Sequence, residues 1–133
     1  KYLYLFDDLK DMSITFVSNK EPNIVKVYDC ISINSNSRFD VEAFIEPSEN
    51  YKNGMYSVIP NSRFVIKEGI YYSEFLMDAN TPNFNSIKEA ILNGRKLRGN
   101  YLKIKLKGIL KDEYIPIKLK NVNIISTSSH RIN

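Results

Sequence analysis

Between Gly94 and Leu106 the chain runs through a basic, glycine-bracketed turn directly into a strand of strict two-residue period. Leu102, Ile104 and Leu106 fall on one side and Tyr101, Lys103 and Lys105 on the other. A side-chain period of two belongs to an extended chain, and lysines on the alternate positions mean that one face is buried and the other wet. That pattern is how an antiparallel strand reads when one side is core and the other wet. The stretch is therefore read as a central core strand, fed by a short helix and paired with the strands that follow it. Gly94 and Gly99 bracket the turn, where glycine adopts tight or left-handed backbone at least steric cost.

The same alternation recurs along the chain. Ser13–Val17 is β-rich, and Ile24–Tyr28 puts Val25 and Val27 on one face and Tyr28 on the other, with Asp29-Cys30 breaking or bulging the strand before Ile31–Ile33. Val41, Ala43 and Ile45 lie opposite Glu42, Phe44 and Glu46. Arg63–Lys67 reads as a strand, Glu68-Gly69 as a turn, and the aromatic Ile70–Met77 as extended chain, with a helix as the alternative. Lys107-Gly108 reads as a turn, Tyr114–Leu119 as a strand placed on an edge or bulged by Pro116, and Asn121–Thr127 as the last strand. One helix is expected, Ser86–Asn93: Ser86 and Glu89 have capping-box spacing, Ile87, Ala90 and Ile91 share a face, and Gly94 suits the C-terminal cap. The expected fold is mainly β: an antiparallel β-sandwich of about seven to nine short strands with one short helix, in a single domain over residues 1–133. The initial Lys1 suggests a piece of a longer chain.

Few reactions are within reach of these residues. His130 is the sole histidine and Cys30 the sole cysteine, so a histidine-based triad, a zinc site and an internal disulfide are not expected. No phosphate-binding glycine loop is present, and Asp7, Asp8 and Asp11 do not have the spacing of a calcium loop. Glu42 and Glu46 share a strand face about 13 Å apart by rise, beyond the ~5–9.5 Å of paired glycosidase carboxylates. No run of ~18–20 apolar residues is present to span a bilayer as a helix. No catalytic residue, metal or cofactor is assigned.

Charge is uneven. From Arg95 to Lys120 nine basic residues face two acids, a net +7, which leaves −3 for the rest of a chain whose total is +4. Such a stripe can attract phosphate or an anionic glycan, or simply keep the wet faces of strands soluble. The nine tyrosines, Tyr51, Tyr56, Tyr71 and Tyr72 among them, suit core packing, protein contacts or stacking on sugars and bases.

Three segments resemble the muzzle or tail-stem proteins of crAss-like, short-tailed bacteriophages. Lys26-Val27-Tyr28-Asp29-Cys30-Ile31 resembles that family's strand-ending Tyr-Asp-Asn segment, with Cys30 at the asparagine. Arg95-Lys96-Leu97-Arg98-Gly99-Asn100-Tyr101-Leu102 resembles its Arg-x-x-Arg-Gly-x-Tyr-Leu turn and strand, and Val122–Ser128 its closing strand. Order and spacing agree over about residues 24–129. The resemblance implies a non-enzymatic structural domain of the virion tail or neck in an infected bacterium, contacting other virion proteins and copies of itself in a ring. It also implies that Arg95, Lys96 and Arg98 meet acidic groups of an adjoining subunit, with Tyr101 packed beside them. DNA passing a basic lumen is a second possibility. A carbohydrate-binding β-sandwich for a surface glycan is the alternative outside the family, and a salt-sensitive nucleic-acid binder a third class.

Overall fold

In the computed structural model, the residues described are 3–5, 13–19, 21–49, 52–76, 78–79, 95–109 and 117–128. They form two antiparallel sheets. Strands in chain order are β1 (Leu3–Leu5), β2 (Ser13–Ser18), β3 (Lys26–Ser35), β4 (Phe39–Ile45), β5 (Met55–Ile59), β6 (Val65–Lys67), β7 (Ile70–Glu74), β8 (Arg98–Gly99), β9 (Leu102–Gly108) and β10 (Ile117–Ser128). The first sheet has the order β1-β10-β3-β7-β6, with the two-residue β8 also paired to β3. The second has the order β2-β9-β4-β5. Among the described residues the only helical segment is a 3₁₀ turn at Asn61–Arg63, where a strand was expected to begin. The helix expected at Ser86–Asn93 lies outside the described residues.

The alternating strand is central, as expected: β9 lies between β2 and β4, and its burial alternates along its whole length, including Gly108, which closes the strand where a turn was expected. Leu102, Ile104 and Leu106 are fully buried. Its partners differ from expectation. The following strand β10 belongs to the other sheet, and β9 pairs instead with β2 and β4, which precede it. Lysines decide this register: Lys105 stands opposite Glu42 and Lys107 opposite Asp40, whereas β10 offers lysines at 118 and 120. Opposite charges across a strand pair are favourable and like charges are not.

The two inner faces close on one core. Val41, Ala43, Ile45 and the β9 leucines and isoleucine meet Ile31, Ile33, Tyr71 and Ile117 from the opposite sheet, with Val122 and Ile124 packed at its margin. Two β-bulges keep the long strands of the first sheet facing it. Opposite β10, Ile125 pairs with Cys30 but Ser126 pairs with Tyr28, which leaves Asp29 as the extra residue. The buried positions of β3 therefore switch from Lys26 and Tyr28 before the bulge to Ile31 and Ile33 after it. An inserted residue reverses the side-chain parity, and without it half of β3 would present the wrong face. Lys120 does the same in β10, between Leu119 and Asn121. The bulge at Asp29-Cys30 was legible in the sequence, but the core face before it is that of Lys26 and Tyr28, while Val25 is exposed.

Two glycines act here for different reasons. Gly69 has φ +80° beside Glu68 at φ +52°, and these two residues form the β6–β7 hairpin turn, in which both central positions need left-handed backbone. Gly99 has no positive φ. A Cβ there would lie 2.8 Å from Ile45 Cγ2, so its absence lets the two sheets approach.

Candidate subunit interface

The basic turn is fastened to the body of the domain at four points. Leu97, set among the basic residues, is buried, and its carbonyl accepts a hydrogen bond from the Tyr28 N–H at 3.0 Å. Arg98 and Gly99 form β8, opposite Val27 and Lys26 on the edge of β3 not taken by β10. Arg95 pairs through Nη2 with Asp78 Oδ2 at 2.5 Å, and its carbonyl accepts the Asp78 N–H at 2.6 Å. The Asn100 side chain donates to the Pro22 carbonyl at 2.8 Å.

Two buried charges that sequence reasoning missed organise this fastening. Asp78 is wholly inaccessible to solvent. Its second carboxylate oxygen accepts the Tyr56 N–H at 2.9 Å, and the following Ala79 N–H donates to the Tyr56 carbonyl at 2.5 Å. One carboxylate thus joins β5, the chain beyond β7 and the entry to the basic turn. Lys26 is only 5% exposed, and its ammonium donates to the carbonyls of Glu21 (3.0 Å), Ile24 (3.0 Å) and Asn100 (2.5 Å). Three acceptors match the three donors of an ammonium, which makes its burial tolerable. Burial lowers the Lys26 pKa from its ordinary value, opposed by the Glu21 charge. Asp78 follows the end of the β7 alternation and gave no signal in the sequence. Lys26 did give one: it shares a strand face with Tyr28, an aromatic of the core.

The four residues singled out from sequence are brought to one place but do different things. Arg95 spends its guanidinium on Asp78, although its side chain stays 45% exposed. Arg98 is half-buried on the edge of β3. Lys96 is exposed, and Tyr101 is 40% exposed where the turn enters β9. The outward part of the turn is therefore Lys96 and Tyr101, on a backbone held from behind.

Among the described residues, the other lysines of the basic stripe are divided between the two sheets. Lys103, Lys105 and Lys107 lie on the outer face of the second sheet, with Asp40 and Glu42 in the adjacent strand, whereas Lys118 and Lys120 belong to β10 of the first. Glu42 also accepts a hydrogen bond from the Tyr56 hydroxyl at 2.7 Å. This bond and burial push the Tyr56 pKa up to about 12, with burial the larger cause. Tyr28 reaches about 12 through burial alone, and among the described residues its hydroxyl has no hydrogen-bond partner.

Fold and turn together define a two-sheet antiparallel β-domain with a braced basic loop at one end. The family model for the Crassvirus muzzle protein C-terminal domain matches residues 1–78, and the chain belongs to that family. The matched stretch contains the Lys26–Ile31 segment and ends at Asp78, while the Arg95–Leu102 turn lies beyond it. A comparison with curated proteins finds no match.

Proposed function

We propose that this domain is a non-enzymatic structural part of a phage muzzle and works by assembling with copies of itself in a ring, with the Arg95–Tyr101 turn at the subunit contact. Family membership supports the structural role. The observation that carries the contact is the contrast within the turn: a backbone pinned through Leu97, Asp78 and Lys26, with Lys96 and a 40%-exposed Tyr101 projecting from it. A rigid loop loses little conformational entropy on docking, and tyrosine is enriched at interface centres because it buries a large area with few rotors. In this reading Lys96 and Arg98 meet acidic groups of the neighbour, and Arg95 holds the loop in shape while offering its exposed side.

The test follows from that division of labour. In the full-length muzzle protein, Lys96→Glu combined with Tyr101→Ala leaves the domain folded and lowers the yield of assembled rings, read by light scattering and electron microscopy. Normal rings from that variant would remove the turn from the contact. Arg95→Ala is the wrong probe for assembly, since it also removes the ion pair to the buried Asp78 that shapes the loop.

A further inference from the structure

The outer face of the first sheet, away from the basic turn, carries a patch that assembly through the turn does not use. Antiparallel register sets Tyr72 of β7 opposite Ser32 of β3, and Ser32 opposite Asn123 of β10. The next row on the same face is Ile70, Asn34 and Asn121. These residues line an open groove of about 380 Å³. Three strands at about 4.8 Å spacing and two rows about 7 Å apart give a patch some 10 Å by 7 Å.

Its chemistry is narrow. Among the described residues no charged one lines the groove, although 26% of the chain is charged. Tyr72 is 37% exposed, so part of its ring remains open to solvent. The side-chain amides of Asn34, Asn121 and Asn123 are committed to no other described group of the protein. Each such amide offers two donors and an acceptor, the pairing that vicinal hydroxyl groups complement. A charged partner would find no counter-ion in this groove, and a purely apolar one would leave three amides desolvated and unpaired. An aromatic ring beside side-chain amides, over the buried Ser32, meets the alternating apolar and hydroxyl surface of a sugar ring.

We infer that this face binds a neutral saccharide, its ring lying on Tyr72 and its hydroxyls bonded to Asn34, Asn121 and Asn123. The inference is independent of the assembly reading, because it concerns a different surface and needs only the folded domain. Adjacent to it, across Tyr72, a second groove carries Arg63, Lys67 and Glu74 and serves as an internal control.

The experiment titrates the intact chain, by calorimetry and by amide chemical shifts, with neutral tetrasaccharides of glucose, mannose and galactose and with tetragalacturonate. At least one neutral tetrasaccharide binds, shifting the amides of residues 32–34, 70–72 and 121–123. Tyr72→Ala weakens it about tenfold or more, and so does the exposed pair Asn121→Ala with Asn123→Ala, whereas Arg63→Ala with Lys67→Ala leaves it unchanged. Thermal melts within a few degrees of the parent establish that the variants are folded. Binding of tetragalacturonate alone, no binding of any neutral sugar, or unchanged affinity in both folded groove variants overturns the inference. So does a concentration-dependent dimer abolished by Tyr72→Ala, which would make a second copy the occupant.

Discussion

Asp78 illustrates how one side chain decides whether a loop has a shape. Its carboxylate is buried and shared between Arg95 and the Tyr56 backbone, so removing Arg95 takes away an ion pair made in a place water does not reach. Arg95→Ala is expected to cost roughly 1–3 kcal/mol in a denaturant titration, at the lower end because the guanidinium is half-exposed. Tyr28 makes the opposite case. Its buried hydroxyl lacks a partner among the described residues, so Tyr28→Phe is neutral or stabilises by up to about 1 kcal/mol. The pH dependence has a sign fixed by the same groups. Folded-state values of about 12 for Tyr28 and Tyr56 lie above the ordinary 10.0, so their contribution is complete below pH 10 and lost as pH rises through 12. Lys26, lowered by burial, works the other way, adding stability as pH climbs towards its unfolded value of 10.5. The tyrosine contribution to the change in urea midpoint between pH 9 and pH 11.5 is therefore a loss, and Tyr28→Phe removes its share of it.

Among the elements, β9 is the most informative. Ile104 is wholly buried in the middle of the second sheet, and Ile104→Ala is expected to cost about 2–5 kcal/mol in denaturant, against less than ~0.5 kcal/mol for Val65→Ala on the exposed edge strand β6. Gly99 tests how closely the sheets approach: Gly99→Ala destabilises by about 1–3 kcal/mol, and Ile45→Val in the same chain, which keeps the clashing Cγ2, does not relieve it, whereas Ile45→Ala does. The alternation of β4 and β9 was legible in the sequence because each strand keeps one parity from end to end. Partner choice was not, because alternation says which side chains point inward and nothing about which strand lies alongside. The parity of β3 was readable only in halves, since Asp29 resets it. The Asp78 and Lys26 braces escaped because each depends on a group that only the fold brings near: the Tyr56 N–H and the Arg95 guanidinium for Asp78, the Asn100 carbonyl for Lys26.

At the scale of the whole molecule, two sheets around one core leave two distinct outward features: a braced loop bearing Lys96 and Tyr101, and a neutral sheet face around Tyr72. Braces are what a domain that must hold a contact rigidly requires, and the chain uses its scarce buried charges for them. Among the described residues the lysines are divided between the two sheets, which keeps the wet faces of both charged. The measurement that bears most directly on this reading is the assembly state of full-length muzzle protein carrying Lys96→Glu and Tyr101→Ala, followed by light scattering and electron microscopy beside a circular dichroism melt. The account predicts a melt within a few degrees of the parent together with loss of rings; intact rings at parental yield from a folded variant would contradict it.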